Sequence, residues 1–170
     1  MINNWLEKTI IGLDLCPFTR KPYQDGKILI ESLSAQKSSL AQEQFLTSLS
    51  GFQGQSKFET AILVYPEWKI SFKKFYEFSQ DCVDHLSSLS LENEFQIVAF
   101  HPEFCFEGLD YSNRANLVNS SPSPLIHILR IIDLDLINLS TSEAEAMSFG
   151  NAKKLELLSD EQLLNHFPWR

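Results

Sequence analysis

The sequence predicts an α/β fold built on a small, mostly parallel three-stranded sheet. Three runs rich in β-branched and apolar residues, 27–33 (KILIESL), 60–65 (TAILVY) and 95–100 (FQIVAF), have the composition of buried strands. The segments between them carry apolar residues at helical spacing, which predicts a β-α-β-α-β order. Strands joined by helical crossovers pair in parallel with right-handed connections. A ferredoxin-like α+β arrangement is the alternative.

Helices are expected on both sides of this sheet. Residues 2–11 form an extra N-terminal amphipathic helix that Gly12 can end. Residues 39–49 and a longer helix that begins after Ser71 and runs to about residue 89 fill the two crossovers. The C-terminal third is also predicted to be helical, with short helices over 142–147 and 151–158 and a last helix whose capping box is Ser159 and Gln162.

Length and composition indicate one domain, residues 1–170, with 44% hydrophobic and 21% charged residues. The formal net charge of −8 argues against nucleic acid or anionic membranes as partners, since both attract positive surfaces. No secretory signal and no apolar run of about 20 residues is visible. Three widely spaced cysteines are typical of reduced thiols, so a cytoplasmic location is expected. The oligomeric state stays open.

A candidate site is expected at the end of the third strand. The carboxyl ends of parallel strands share one edge of the sheet, and ligands of open α/β folds bind there. His101 follows the third strand directly, and a polar, proline-containing stretch leads from it towards His127. Because proline favours an extended backbone at the preceding residue, His101 and Glu103 are expected to lie on one face.

The segment after this stretch is interpreted as a helix, with Ser123 as its N-cap and Pro124 at its first position. Hydroxyl and amide groups at a helix N-terminus form an anion site, to which Arg114 adds a charge. The expected ligand is a small anionic metabolite bearing a phosphate or carboxylate. Its predicted binding residues are Arg114, Asn116, Asn119, Ser121 and Arg130.

The first hypothesis is an enzyme in which His101 or His127 is the general acid or base and Glu103 orients an imidazole. No cofactor is predicted. Several alternatives stay open: a divalent metal held by His101, Glu103 and His127, serines that only cap a helix, and a structural ion-pair network around His127 and Arg130. Cys16, close to Arg20 and Lys21, is either a nucleophile or a small buried hydrophobe.

Five sequence motifs resemble an uncharacterised bacterial family, domain of unknown function 1415. They are Trp5, residues 11–18 (IGLDLCPF), 100–104 (FHPEF), 119–124 (NSSPSP) and 126–131 (IHILRI). The resemblance covers nearly the whole chain and implies no settled activity. It also shows departures: Ser120, Ser123 and Ile131 stand where the family pattern has arginine, tyrosine and glutamate.

These departures remove a cation and a carboxylate from the same region, which is consistent with an altered or lapsed site. The second hypothesis is therefore a non-catalytic protein that binds a ligand or a partner at the same edge. A third treats the motif as a buried polar staple for a long loop. All three depend on whether His101 and His127 meet in one pocket.

Overall fold

The chain forms a four-stranded mixed sheet with helices on both faces. The structure is a computed structural model that describes the backbone of residues 2–131 and 141–170 and the side chains of residues 2–131 and 149–170. The strands are β1 (Ile28–Ser32), β2 (Thr60–Val64), β3 (Phe95–Phe100) and β4 (Leu125–Arg130). The helices are α1 (Ile2–Trp5, continued as a π-helix over Leu6–Ile11), α2 (Pro17–Gln24), α3 (Ser38–Gln53), α4 (Phe72–Ser88), α5 (Thr141–Glu156) and α6 (Asp160–His166), and a 3-10 helix spans Arg114–Asn119.

The strand order is β1-β2-β4-β3. β1 pairs with β2 in parallel, and β4 is antiparallel to both β2 and β3. The three predicted strands therefore exist and run in the same direction. However, β2 and β3 are separated by β4, a strand that was not predicted from the sequence. The observed β-α-β-α-β-β order also differs from the β-α-β-β-α-β order of a ferredoxin-like fold, so that alternative is wrong.

The predicted helix from Pro124 is wrong, because residues 125–130 form the central strand β4. Leu125, Ile126 and Ile128 are all fully buried, on both faces of the sheet. A central strand needs apolar residues on both faces, and isoleucine at two of six positions favours a strand over a helix. The positions of that predicted helix beyond residue 131 lie outside the described residues.

Each face of the sheet carries its own apolar core. On one side, the α3/α4 face, Phe45, Phe75 and Phe78 pack against Leu63 and Ile126. On the other side, the α1 face, residues from α1 and the C-terminal segment pack against the sheet; the buried members include Trp5, Leu6, Ile62, Leu125, Leu155 and Phe167. The neighbouring residues of a strand thus belong to different cores, as the alternation of side chains in a strand requires.

Most of the predicted helices are present, with changed bounds. α1 and α4 agree with prediction, Ser71 is the N-cap residue of α4, and the capping box of Ser159 and Gln162 is formed. Residues 141–156 form one helix instead of two short ones. α2 was not predicted, although Pro17 at its first turn favours a helix start. In the described part of the chain, no helix has the length and apolar character needed to cross a bilayer.

Candidate functional site

His101 is the first residue after β3 and is 2% exposed. Its ring packs on the α3/α4 face, 5.8 Å from the Phe72 ring and 5.5 Å from the Phe75 ring. Nε2 lies 3.1 Å from the Ile70 carbonyl oxygen, which can only accept, so Nε2 carries the proton. Nδ1 accepts from the Glu103 backbone N–H at 3.0 Å. Both ring nitrogens are thus used, and burial lowers the pKa of His101, which favours the neutral form.

His127 lies in the middle of β4, opposite Ile62 of β2 and Val98 of β3. Its Nε2 is hydrogen-bonded to Thr60 Oγ1. Because the Thr60 hydroxyl donates to the Ile128 carbonyl oxygen at 2.8 Å, Nε2 must be the donor in the bond to Oγ1. Burial lowers the pKa of His127 to about 4, so the ring is neutral at pH 7.

The two histidines lie on opposite faces of the sheet. The His127 ring is 6.4 Å from the Phe100 ring, which packs edge-on against Trp5 of the α1 face. His101 follows Phe100 directly and faces the opposite core. The predicted convergence of the two rings in one pocket is therefore not found, and the two cannot bind one metal ion together. Among the described residues, no group of three or more His, Cys, Asp or Glu side chains is close enough to hold a metal.

Arg130 lies at the end of the sheet away from His101, since it pairs with Phe95 at the start of β3. Its guanidinium donates to the carbonyl oxygens of Phe52 at 2.7 Å and Phe58 at 3.0 Å. It also stacks over the Phe52 ring, 4.4 Å from the centroid. Phe52 belongs to the last turn of α3, whose carbonyl groups lack the partners of a continuing helix, and its oxygen also accepts from the Gln55 N–H at 3.0 Å. Arg130 therefore caps α3, and its predicted role beside His101 does not fit its position.

Asn119 and Ser121 do lie beside His101, as predicted. The His101 N–H donates to the Asn119 carbonyl at 3.2 Å, and the Ser121 N–H lies 3.4 Å from the His101 carbonyl oxygen. Their side chains bond backbone groups, Asn119 Nδ2 to the Ala99 carbonyl at 3.3 Å and Ser121 Oγ to the Ser123 carbonyl at 2.7 Å. Glu103 is exposed and orients the imidazole with its backbone N–H instead of its carboxylate.

Asn116 is fully buried and organises the loop that follows His101. Its Oδ1 accepts from the Phe106 N–H at 2.9 Å. Its Nδ2 donates to the carbonyl oxygens of Asp110 at 2.9 Å and Tyr111 at 3.2 Å. The predicted binding residue is thus fully used in holding the loop.

Asn116→Ala should lower the free energy of unfolding by about 2–3 kcal/mol, because a fully buried side chain and its three bonds to partly buried backbone groups are lost. Asn113→Ala is the matched control, since the exposed Asn113 caps the 3-10 helix through one bond and should cost about 1 kcal/mol. Urea denaturation measures both values. Equal losses in the two variants would contradict the assigned role of Asn116.

Arg114 is also used structurally. It donates to the carbonyl oxygens of Glu156 at 3.1 Å and Leu158 at 2.7 Å, at the end of α5, and its Nη2 lies 2.6 Å from Asp160 Oδ1.

Burial raises the pKa of the Cys16 thiol. A raised thiol pKa disfavours the nucleophilic thiolate, and Cys16 packs, partly buried, against the α1-face core, so the structure favours the hydrophobic alternative.

A groove of about 850 Å³ lies between α4 and β3. Its walls are mainly apolar and include Phe72, Tyr76, Val83, Ile97, Ala99 and Phe104. Tyr76 and Val83 are 47% and 39% exposed, which is high for large apolar side chains. The groove was not predicted from the sequence. Tyr76 and Val83 are large apolar residues of α4 that fall outside the helical spacing of Phe75, Phe78 and Cys82, and this was the available signal.

The groove runs along an edge strand. β4 residues with odd numbers bond β3, as the Ile131 N–H shows by donating to the Glu94 carbonyl at 2.9 Å. In an antiparallel pair alternate residues bond the neighbour, so the backbone groups of Phe95, Ile97 and Ala99 point away from β4. Leu91 accepts from the Phe95 N–H, and Asn119 donates to the Ala99 carbonyl. Within the described ranges, the Phe95 C=O, both groups of Ile97 and the Ala99 N–H have no partner.

A model of a protein family described as "Protein of unknown function (DUF1415)" matches residues 1–165. The chain belongs to the DUF1415 family. The family resemblance of the sequence motifs is thereby confirmed. No curated protein and no solved structure matches the DUF1415 chain.

Two motifs of this DUF1415 chain, FHPEF and NSSPSP, meet at the end of β3, where residues 119 and 121 bond the backbone of His101. FHPEF closes β3 and opens the loop, and IHILRI contains most of β4. Ser120, where the family pattern has arginine, accepts from the Trp169 indole N–H at 2.9 Å. Ile131, where the pattern has glutamate, extends the pairing of β4 through its backbone N–H. At these two departures the chain therefore makes structural contacts of its own.

Proposed function

We propose that this protein is a non-catalytic binding protein that takes a short extended segment of a partner protein into the groove between α4 and β3. The observation that carries the proposal is a set of backbone groups on β3 that line the groove and have no partner within the described ranges. Two donors, the N–H groups of Ile97 and Ala99, flank one acceptor, the C=O group of Ile97. This is the pattern that an added strand satisfies.

The enzymatic hypothesis has less support. An acid–base catalyst must reach a substrate, yet both nitrogens of His101 bond backbone atoms and His127 is buried within the sheet. A structural role for the histidines fits these contacts: His101 fastens the loop after β3, and His127 joins β4 to Thr60 of β2. This role agrees with the polar staple among the hypotheses from sequence, and it leaves the groove as the candidate binding surface.

An unprotected edge strand is a hazard, because it can pair with other chains. The outer edge at His101 is already covered by residues 119–121, which bond both of its backbone groups. At Ile97 none of the described residues provides this cover, and the exposed side chains of Tyr76 and Val83 line the same groove. A single added strand would pair the open groups and cover these apolar side chains together.

The groove chemistry favours an apolar partner segment. Lys73 and Glu107 are its two charged residues among those described, so their charges offset. Backbone bonds supply affinity in strand addition, whereas pockets for alternate side chains supply specificity. We therefore expect a partner segment with large apolar residues at alternate positions, directed at Phe72, Tyr76 and Val83.

The test is selection from a display library of random heptapeptides, followed by affinity measurement on the selected peptides. Ala99→Pro removes one of the two open donors and places the proline ring in the position of the added strand. Proline is tolerated on the outer side of an edge strand, so the fold should persist. Affinity should fall about tenfold or more, because a hydrogen bond is lost and the edge is blocked.

Ser32→Pro is the matched control, since it makes the same backbone change at the exposed end of the other edge strand, β1. It should leave peptide affinity within about twofold, as surface changes away from a site do. Backbone amide shifts in NMR spectra should locate the peptide at residues 95–99 and on α4. Selected peptides that bind Ala99→Pro as tightly as the parent, or a library that yields no binder, would refute the proposal.

A further inference from the structure

A second cavity, of about 330 Å³, lies on the α1 face where the N-terminal helix meets the C-terminal residues. Its wall comes from α1, from the loop before β4 and from the segment around the end of α6. The residues that bear on its chemistry are Trp5, Lys8, His166 and Trp169. This cavity shares no lining residue with the groove along β3.

Trp5 is the unusual member of this wall. Its side chain is 3% exposed, and its indole Nε1 is shielded from solvent without a hydrogen-bond partner among the described residues. The indole of Trp169, in the same wall, donates to Ser120 Oγ at 2.9 Å. Buried donors in folded proteins are nearly always paired, so an unpaired one points to a missing group. Indole nitrogen only donates, and the missing group must therefore be an acceptor.

The charge of the wall indicates what kind of acceptor fits. The chain has a formal net charge of −8, with 22 acidic and 14 basic residues. The described lining residues nevertheless include Lys8 and no aspartate or glutamate. Lys8 follows Trp5 by three residues on the same helix, so both donors are on neighbouring positions. A cation without an opposing carboxylate favours an anionic acceptor.

The rest of the wall sets the size and polarity of the ligand. The wall includes two indole rings and two prolines. The volume is near the lower end of the ~300–1,000 Å³ range of small-molecule sites, which suits a single ring or a short chain. We propose that this cavity binds a small monocarboxylate with an apolar body, whose carboxylate accepts hydrogen bonds from Trp5 Nε1 and Lys8 Nζ.

Nε1 is shielded from solvent, so binding includes a local shift of the cavity wall. Asn4 and Lys8 are exposed and belong to that wall, and side chains at such positions rearrange within nanoseconds. The proposed binding requires that a movement of this wall uncovers Nε1. The site is independent of the proposed peptide groove, which lies beyond the sheet on the α3/α4 face.

The test uses benzoate as the probe and the neutral benzamide as its uncharged counterpart. In spectra of the ¹⁵N-labelled protein, benzoate should shift the indole N–H resonance of Trp5 downfield in a saturable manner. Benzamide should bind about tenfold more weakly or worse, since it lacks the charge.

Trp5→Phe keeps a ring and removes the donor, and it should weaken benzoate binding about fivefold. Lys8→Gln, an exposed change that leaves the core intact, should weaken it about tenfold.

Trp68→Phe is the control, because it makes the same indole-to-phenyl change in the α3/α4 core, outside the cavity. It should leave benzoate affinity within about twofold. If the indole resonance of Trp5 does not move when benzoate is added, the proposal is overturned. That result is expected if the indole N–H packs on the ring of Phe100, whose centroid is 5.6 Å from that of Trp5. Equal affinity of Lys8→Gln and the parent would overturn it as well. Ala99→Pro should not change benzoate binding, so failure of the peptide proposal is separately visible.

Discussion

Arg130→Ala should lower the free energy of unfolding by about 3–5 kcal/mol, the largest single effect that we expect in this protein. The guanidinium is 16% exposed and donates to the carbonyls of Phe52 and Phe58 at 2.7 and 3.0 Å. It also lies over the rings of Phe52 and Phe95, 4.4 and 5.2 Å from their centroids. Alanine removes the charge-assisted bonds, the stacking and the cap of α3 together.

Arg130→Lys separates these contributions. Lysine keeps the positive charge near Glu94 but lacks the planar fork that reaches several carbonyls at once. It should cost about half of the alanine effect. Guanidinium chloride denaturation of the three proteins at pH 7 measures the differences. A loss below about 1 kcal/mol for Arg130→Ala would show that the carbonyl network contributes little.

Acid should destabilise the protein through His127. Its pKa is about 6.5 in an unfolded chain and about 4 in the fold, where burial penalises the charged ring. At pH values between these two pKa values, the unfolded state binds more protons than the folded state. The free energy of unfolding therefore decreases as the pH falls. From pH 7.5 to pH 4.5 His127 alone should contribute a loss of about 2.5 kcal/mol. His101, whose pKa is also lowered by burial, acts in the same direction.

His127→Gln isolates this contribution, since the glutamine amide can donate to Thr60 Oγ1 but does not titrate. Urea denaturation at both pH values should show a loss about 2.5 kcal/mol smaller in this variant than in the parent. Carboxylates also titrate in this range, and the comparison between proteins removes their contribution. His85→Gln makes the same change on α4 and should retain the acid sensitivity of the parent. An unchanged pH dependence in His127→Gln would contradict a buried, neutral imidazole.

The sequence was informative about local structure where period and composition agreed. β3 begins and ends where predicted, and β1 and β2 differ from prediction only at their ends, because short β-branched runs bounded by polar residues have few other solutions. β4 was misassigned because Ser123 and Pro124 are also good helix-start residues. Its apolar residues on two faces fit either a buried helix or a central strand, and only pairing with β2 and β3 decides between them.

The candidate site depended on tertiary information that the sequence does not contain. Because residues 125–130 form a strand, the side chain of His127 lies on the α1 face. A helix at the edge of the sheet would have directed that side chain towards His101. His101, Asn119 and Ser121 lie together because their backbone groups bond one another, whereas their role in a site stays a prediction. That their polar groups bond the backbone could not be predicted, since serine and asparagine bind ligands and cap backbone equally well.

The insertion of β4 between β2 and β3 has a consequence for the order of assembly. β2 and β3 have no direct pairing with each other, and the strand that joins them is the last of the described strands in the sequence. Until residues 125–130 are available, the growing chain can form a β1-β2 unit and a separate β3 with α4, but no common sheet. Completion of the sheet therefore depends on contacts between residues that are distant in the sequence. Such contacts slow folding and leave the apolar surface of the strands uncovered during synthesis.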